Sequence, residues 1–236
     1  MKRRSLPARL TRWLAIALLT VTVASIVTVA AFRWLPVPVT AFMIHERIAA
    51  RNSGIALRQR QDWVPWSRIS RHAALAVIAA EDQNFFRHDG FDFAAIEKAV
   101  TDARSGRRLR GVSTISQQAA KNLFLWPGQS WPRKGLEAWF TLWIEVLWPK
   151  QRILEVYLNS AQFGYGIWGV EAASLSYFGR EAARLSGNEA ALLAAVLPNP
   201  LRLTVSNSSP YVQGRQAWIL AQMERLARAG LVDELK

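Results

Sequence analysis

Apolar residues recur at helical spacing along most of the chain after residue 40. The stretch KQRILEVYLN places its apolar side chains on one helical stripe: Ile153, Leu154, Tyr157 and Leu158. The alternation typical of strands is hard to find, beyond a short piece at 55–60. The pattern therefore predicts a mainly α-helical fold, with helices that include 72–80, 150–159, 188–197 and 216–231.

One apolar stretch is long enough to cross a membrane. Residues 13–32 read WLAIALLTVTVASIVTVAAF, without a charged side chain, and about 20 apolar residues span a bilayer as a helix. The basic residues before it mark the cytoplasmic side, and a cleaved signal peptide would have a shorter apolar run. We therefore expect a cytoplasmic basic tail at 1–12, an uncleaved transmembrane anchor at 13–33 and one folded domain at 34–236.

Composition narrows the classes of partner and chemistry. The 236 residues include no cysteine, which excludes disulfides, thiolate zinc sites and cysteine nucleophiles. Lys and Arg number 30 against 17 Asp and Glu, a net charge of +13. Such a charge suits an anionic partner such as nucleic acid, phospholipid or a phosphorylated substrate. The anchor puts the domain outside the cytoplasm, so it argues against nucleic acid and favours a membrane-linked partner.

The stretch AVIAAEDQNFFRHDGFD, residues 76–92, ends an apolar run in two adjacent carboxylates. Glu81 and Asp82 can be an ordinary solvated helix end. They can also lie in a half-dry cleft, where burial raises the pKa of a carboxylate and makes it a base near neutral pH. The residues alone leave both interpretations open.

The stretch GVSTISQQAAKNLF, residues 111–124, gathers neutral hydrogen-bonding groups around one lysine. A helix would line up four side chains on one face: Thr114, Gln117, Gln118 and Lys121. Such a set suits sugar hydroxyls beside an anion, although a plain surface helix can have the same composition. A basic loop at 103–111 precedes this stretch, and a loop with two tryptophans and two prolines, 126–132, follows it.

The stretch RKGLEAW, residues 133–139, begins with two cations and a glutamate. On its own it predicts the start of a helix, in which Arg133 and Glu137 pair at a spacing of four residues. Lys134 adds a second positive charge beside that pair. Cations in this place could also serve a phosphorylated substrate.

Five motifs stand in one order along the chain: EDQNFFRHDGFD, GVSTISQQAAKNLF, RKGLE, KQRILEVYLN and FGYGIWGVEAASLSYFG. In this order and spacing the set resembles the peptidoglycan glycosyltransferases of bacterial cell-wall synthesis, and among them the monofunctional biosynthetic transglycosylases. The resemblance implies a mainly helical, lysozyme-like fold with a hydrophobic, membrane-dipping jaw. It also implies polymerisation of lipid II, by transfer of the growing chain from undecaprenyl pyrophosphate to the 4-hydroxyl of an acceptor sugar.

The resemblance implies roles for individual residues. Glu81 matches the family's general base, which takes the proton of the acceptor hydroxyl, and Glu137 matches the second essential glutamate, on the donor side. The residues that we expect to bind substrate are Asp82, Phe85, His88, Ser113, Thr114, Gln117, Gln118, Lys121, Asn122, Arg133 and Lys134.

The resemblance also implies a cofactor, partners and a location. A divalent metal, magnesium or manganese, assists many relatives; its ligands are unassigned, with Asp82 and Glu137 as candidates. The expected partners are lipid II, the nascent glycan strand and the membrane, with cell-division or elongation proteins as further candidates. The expected location is the bacterial inner membrane, with a single span and the catalytic domain in the periplasm.

Two positions depart from the family pattern, and two other functions stay open. Val112 stands where many relatives have glycine, and Gln129 stands where relatives usually have an arginine that contacts pyrophosphate. A lysozyme-like wall hydrolase also uses two carboxylates on a helical fold, and a membrane-tethered wall-binding protein would not need Glu81. The anchor and the cations favour a lipid pyrophosphate donor, and so a transferase.

Overall fold

The computed structural model describes residues 6–105 and 113–235, and the described part is mainly helical, as predicted. The N-terminal residues 1–5, Val112 and most of the basic loop at 103–111 lie outside it. The helices are α1 Leu6–Phe32, α2 Ala41–Asn52, α3 Arg71–Glu81, α4 Phe93–Arg104, α5 Ile115–Phe124, α6 Trp131–Leu147, α7 Lys150–Ser160, α8 Val170–Phe178, α9 Gly187–Val196, α10 Pro210–Arg228 and α11 Leu231–Glu234. Short 3-10 turns occupy Trp66–Arg68, Phe85–Arg87 and Ala182–Arg184.

Two groups of packed helices form the body. Helix α3 packs against α9 and α10, while α5 packs against α6 and α7. The predicted apolar stripe of α7 is buried, with Ile153, Leu154 and Leu158 fully shielded from solvent. Because α3 ends between these groups, its last residue, Glu81, lies where the two groups meet.

A small sheet closes one side of the body. Its strands are β1 Arg60–Gln61, β2 Gln162–Gly164 and β3 Ile167–Trp168, in the order β1-β3-β2. Strand β1 pairs in parallel with β3, and β2 pairs with β3 in antiparallel fashion. The strand predicted at 55–60 is therefore shorter and later than expected, since only Arg60 of that range is in a strand.

The last of the predicted helices was also placed wrongly. Helix α10 begins at Pro210 rather than at residue 216, and it ends at Arg228 rather than at 231. Ser209 caps its N-terminus by accepting a hydrogen bond from the backbone N–H of Val212. At the other end Gly230 takes a left-handed conformation, with a φ of 86°, and separates α10 from α11.

Helix α1 is the one described helix that is long and apolar enough to span a membrane, over Arg9–Phe32. Most of its side chains are exposed, as suits contact with lipid, but its C-terminal turns pack on the body. Val29 is fully buried, and its carbonyl oxygen accepts a hydrogen bond of 2.8 Å from the indole N–H of Trp148. The indole of Trp139 donates to the hydroxyl of Ser25 at 3.1 Å.

The end of α1 is held by a residue of α7. The guanidinium of Arg152 donates to the carbonyl oxygens of Phe32, at 2.8 and 3.1 Å, and Leu35, at 2.5 Å. A cation at the C-terminus of a helix pairs with its unsatisfied carbonyls and with the negative end of its dipole. The phenyl ring of Phe32 also stacks on Phe124 of α5. The anchor helix and the body are thus joined by direct contacts in addition to the linker.

We expect a truncation that removes residues 1–33 to be less stable than one that removes residues 1–24. The longer deletion exposes the indole of Trp148 and the ring of Phe124, and it removes the carbonyl of Phe32 that Arg152 bonds. A lost apolar contact and lost hydrogen bonds should lower the melting temperature by roughly 5 °C. Thermal unfolding of both truncated proteins in the same detergent measures this. Equal melting temperatures would show that the contacts of α1 contribute nothing to the stability of the body.

Candidate active site

A cavity of about 780 Å³ opens between the end of α3, the start of α5 and helix α10. Its size is within the usual range for small-molecule sites. The wall is formed by Ala80, Glu81, Ser113, Gln118, Pro198, Pro210, Tyr211, Gly214, Arg215 and Trp218. Three of the residues predicted from the sequence, Glu81, Ser113 and Gln118, therefore face a common space.

Glu81 is the last residue of α3 and lines the cavity. Its two carboxylate oxygens each have a protein partner: Oε2 accepts from the side-chain amide of Gln118 at 2.9 Å, and Oε1 accepts from Arg215 at 3.2 Å. Burial raises the pKa of this carboxyl group, and the hydrogen bond from Gln118 and the charges of Arg215 and Lys121 oppose that rise. The raised pKa favours the half-dry cleft over the solvated helix end, the two interpretations that the residues alone left open.

Arg215 is a contact of Glu81 that the sequence interpretation missed. It lies on α10, 134 positions after Glu81. Its guanidinium also donates to the carbonyl of Ala80, at 3.4 Å. The guanidinium therefore tethers the end of α3 to α10 and holds the carboxylate of Glu81 at the cavity wall.

We expect Arg215→Met to move the pH dependence of activity upward. Without the guanidinium charge, burial raises the pKa of Glu81 further. A general base works in its ionised form, so activity is lost as the pH falls through that pKa. The acid limb of kcat/KM against pH should therefore lie at higher pH in Arg215→Met than in the wild type. Arg228→Met, an exposed change on the same helix, is the control. If Arg215→Met is active and its acid limb stays at the wild-type pH, that limb does not report the pKa of Glu81, and the assignment of Glu81 as the general base is contradicted.

Tyr157 of α7 fixes the orientation of the amide that touches Glu81. Its hydroxyl donates to the amide oxygen of Gln118 at 3.1 Å, so the amide nitrogen of Gln118 points to the carboxylate. The hydroxyl stays protonated over the working range, because burial, aided by the charges of Glu81 and Asp82, raises the pKa of Tyr157 well above its ordinary value. A chain of hydrogen bonds thus runs from the core of α7 to the candidate base.

Asp82, Phe85 and His88 were predicted to bind substrate, but the structure places them behind Glu81, in the interior. Asp82 is buried, and its carboxylate accepts from Nε2 of His88 at 2.9 Å and from the backbone N–H of Ile115 at 3.0 Å. The backbone N–H of Gly90 donates to Nδ1 of His88, so the imidazole proton lies on Nε2. Asp82 thus fastens the end of α3 to the start of α5.

Phe85 and Gly90 complete this interior support. Phe85 is fully buried, and the ammonium of Lys150 lies 4.6 Å from the centre of its ring. Gly90 has a φ of 87°, and a Cβ there would come within 2.8 Å of Thr141 and 2.9 Å of Glu145. Glycine is therefore required at this position for both its conformation and its space.

Thr114 and Gln117 have hydrogen bonds within their own helix end. Thr114 caps α5 by accepting from the backbone N–H of Gln117 at 3.2 Å, and the amide oxygen of Gln117 accepts from the N–H of Thr114 at 3.0 Å. Both side chains are buried, so the predicted face with Gln118 and Lys121 does not form as one polar surface. Ser113 is exposed at the cavity mouth, and Asn122 is half-buried on α5.

A second group of charges surrounds Glu137 on α6. Glu137 is buried, and its carboxylate accepts from the guanidinium of Arg133 at 2.9 Å and from the ammonium of Lys134. The predicted pairing of Arg133 with Glu137 is confirmed. The Nε of Arg133 is buried and has no hydrogen-bond partner among the described residues. We call the three cations near this carboxylate, Lys121, Arg133 and Lys134, the cation cluster.

Lys121 interacts electrostatically with both glutamates, Glu137 on α6 and the candidate base Glu81. Burial lowers the pKa of this lysine, the charges of Glu137 and Glu81 raise it, and those of Arg133 and Lys134 lower it. Its ammonium is also 5.5 Å from the centre of the Phe42 ring. The charge of Lys121 therefore interacts with Glu81 and with Glu137, the two glutamates to which the resemblance gives roles.

The candidate metal ligands, Asp82 and Glu137, already have protein partners. Both oxygens of Asp82 and both oxygens of Glu137 are already bonded to N–H groups or cations. Among residues 6–105 and 113–235, no three His, Cys, Asp or Glu side chains come together as metal ligands. The divalent metal stays a prediction of the resemblance.

The comparison with known proteins identifies the family. Residues 48–224 match the transglycosylase family. A biosynthetic peptidoglycan transglycosylase of Cronobacter sakazakii is 53% identical over 235 residues, which cover 99% of this chain and 98% of that protein. One of Stutzerimonas stutzeri is 51% identical over 212 residues, which cover 90% of this chain and 88% of that protein. The chain belongs to the transglycosylase family.

This membership confirms the resemblance that the five motifs predicted. A further relative with the same name, from Pseudomonas aeruginosa, is 51% identical over 203 residues, or 86% of this chain. The findings support a glycosyltransferase and do not favour the hydrolase or the wall-binding protein. The roles of individual residues stay predictions.

Proposed function

We infer that this chain is a peptidoglycan glycosyltransferase, which polymerises lipid II into glycan strands. The observation that carries the mechanism is the position of Glu81, a carboxylate of raised pKa at the wall of a large cavity, with the cation cluster close by. Glu81 can take a proton in the cavity, while the cation cluster can stabilise negative charge. These are the two needs of glycosyl transfer from a pyrophosphate donor.

Glu81 is the general base of this reaction. The 4-hydroxyl of the acceptor sugar gives its proton to a carboxylate oxygen of Glu81 while its own oxygen attacks the anomeric carbon of the donor. The bond from that carbon to the pyrophosphate oxygen breaks, and undecaprenyl pyrophosphate leaves with the electron pair. Gln118 and Arg215 hold the carboxylate in place, and burial raises its pKa toward the working pH.

The cation cluster binds the pyrophosphate. Negative charge grows on the leaving oxygen, and preorganised cations away from bulk water stabilise that charge in the transition state. Arg133 supports this assignment, because its buried Nε–H has no partner among the described residues and a phosphate oxygen would supply one. Glu137 holds Arg133 and Lys134 in position, which makes it a positioning residue for the donor side.

The anchor brings the enzyme to its lipid substrate. Helix α1 has the length and composition of a single membrane span, and the basic residues before it favour a cytoplasmic N-terminus. The catalytic domain then lies in the periplasm, where both lipid II molecules present their sugars. An interaction with proteins of the division or elongation machinery stays a prediction of the resemblance.

The test is a comparison of two substrates with the purified full-length protein in detergent. Incubation with lipid II should give glycan chains that lengthen with time, and incubation with polymeric wall should release no fragments. Chain length by gel electrophoresis and fragment release by chromatography measure the two outcomes. Fragments from the polymer without growth on lipid II would identify a hydrolase. Neither activity, in a folded protein that binds wall material, would favour the wall-binding protein.

A further inference from the structure

We propose that Tyr211 and Trp218 of helix α10 form a stacking platform for the acceptor sugar. The proposal rests on the function inferred above, because it adds the residues that hold the acceptor opposite Glu81. It assigns a role to an aromatic face that lies outside the motifs of the sequence. The ligand class is a pyranose, the six-membered ring of the disaccharide carried by lipid II.

The first argument is the shared face of four residues on α10. Tyr211, Gly214, Arg215 and Trp218 follow one another at steps of three, one and three residues, so they lie on one side of the helix. All four line the cavity that contains Glu81. The tether from Arg215 to Glu81 fixes this face with respect to the base, at a distance of 3.2 Å between the guanidinium and the carboxylate.

The second argument is the exposure of the two aromatic side chains. Tyr211 is 62% exposed and Trp218 is 46% exposed, although each has a large apolar surface whose burial would be favourable. An exposed aromatic side chain at the wall of a cavity can cover the apolar C–H face of a sugar. Other residues of the wall, Glu81, Gln118 and Ser113, have polar groups that can meet its hydroxyls. The cavity wall thus combines apolar aromatic surface with hydrogen-bonding groups, and a pyranose ring has matching C–H and hydroxyl groups.

The third argument decides which sugar binds there. The base must be within hydrogen-bond reach of the hydroxyl from which it takes a proton. Glu81 lines the cavity, whereas the cations assigned to the donor pyrophosphate, Lys121, Arg133 and Lys134, do not line it. The sugar in the cavity is therefore the one that carries the attacking hydroxyl, and that sugar belongs to the acceptor.

The fourth argument is the space beside Gly214. A glycine inside a helix costs roughly 0.5–1 kcal/mol relative to alanine. A Cβ at Gly214 would have no neighbouring atom within 4 Å, so packing does not explain the glycine. Its lack of a side chain instead leaves room in the cavity between Tyr211 and Trp218. A bulky residue there would enter the space in which the sugar is expected.

The test measures the KM of the acceptor in the full-length enzyme. A lipid-linked tetrasaccharide is held at a saturating concentration as donor, and lipid II is varied as acceptor. Loss of an aromatic stacking contact should raise the acceptor KM about tenfold in Trp218→Ala, with a smaller change in kcat. Trp218→Phe keeps an aromatic face and should recover most of the affinity. Tyr165→Ala, at another exposed tyrosine that does not line the cavity, is the control for a lost surface aromatic and should keep the wild-type KM.

A second variant pair tests the same site without removing an aromatic side chain. Gly214→Leu should raise the acceptor KM at least as much as Trp218→Ala, because its side chain occupies the cavity. Gly214→Ala adds only one carbon and should have a smaller effect. Since nothing lies within 4 Å of the added Cβ, Gly214→Ala should melt no lower than the wild type, and the melting temperature of Gly214→Leu is measured beside it to show that this variant is folded.

The outcomes separate this proposal from the function on which it rests. An unchanged acceptor KM in both Trp218→Ala and Gly214→Leu, in an enzyme that polymerises lipid II, would overturn the platform and leave the function standing. A loss that occurs in lipid vesicles but not in detergent would also overturn it, since the aromatic face would then contact the membrane. A wild-type protein that makes no glycan from lipid II would overturn the function itself.

Discussion

Replacement of Glu81 by glutamine is expected to abolish polymerisation of lipid II and to leave the fold intact. The amide keeps the shape of the side chain and can still accept a hydrogen bond, but it cannot take the proton of the acceptor hydroxyl. Loss of a general base usually costs about 10²–10⁴-fold in rate. Initial rates of chain growth at saturating lipid II measure the effect.

The stability of the same variant gives an independent check. Burial raises the pKa of Glu81 above that of an exposed glutamate, so the ionised carboxylate is disfavoured in the folded state at neutral pH. Glutamine removes this cost, and the melting temperature of Glu81→Gln should equal or exceed that of the wild type at pH 7. Glu224→Gln, an exposed change on α10, is the matched control and should retain activity. Activity of Glu81→Gln within a few-fold of the wild type would rule out the role of base.

Replacement of Lys121 by methionine is expected to lower kcat/KM about 10²–10³-fold, as the loss of one preorganised group for transition-state charge does in other enzymes. The ammonium interacts electrostatically with both Glu137 and Glu81, and methionine keeps roughly the length of the side chain without the charge. Because the charge on pyrophosphate grows as the bond breaks, kcat should fall more than KM rises. Steady-state kinetics with lipid II separates the two constants.

The control for Lys121→Met is Lys98→Met on α4, where the lysine is exposed. That change removes the same charge from the protein but not from the cation cluster, so its kinetics should match the wild type. A fall in activity common to both variants would point to a general effect of net charge on binding to the lipid. Wild-type kcat in Lys121→Met would exclude this lysine from the stabilisation of the leaving group.

Local patterns in the sequence predicted local structure well. The apolar stripe of α7 and the Arg133–Glu137 pair are both where spacing put them, because each depends on neighbours within one or two turns. The capping role of Thr114 and Gln117 could have been predicted in the same way, since Thr-Ile-Ser-Gln has the form of a capping box. Spacing alone put Thr114 and Gln117 on one polar face with Gln118 and Lys121. It overlooked that residues at the start of a helix use their side chains to cap its backbone N–H groups.

Tertiary contacts explain what the sequence did not predict. Arg215 contacts Glu81, and Tyr211 and Trp218 line the same cavity, only because α3 packs against α10. No local spacing links residues so far apart in the chain. The sequence interpretation also missed the first six residues of α10. They include Gly214 and follow a serine-rich stretch, and both features are typical of a loop. Ser209 before Pro210 was the signal that could have found the start of α10, as a cap followed by a proline at the first helical position.

Other residues are near Glu81 in the sequence, but their side chains do not line the cavity. Asp82 and His88 are close to the base in sequence, yet both side chains turn into the interior. The reason is that α3 ends at Glu81, so the next residues no longer follow the face that reaches the cavity. Gln129, which stands where relatives usually have an arginine, lies exposed on the loop between α5 and α6.

The clamp of Arg152 on the end of α1 bears on how the enzyme would meet substrates confined to a plane. A domain on a slack tether would tumble above the bilayer and offer its cleft in every direction. With the guanidinium bonded to the carbonyls of Phe32 and Leu35, the cleft instead keeps one height and one tilt relative to the anchor. Encounter with lipid II would then depend on lateral diffusion and on rotation about the membrane normal. Each enzyme molecule would extrude its strand at one constant angle to the membrane plane.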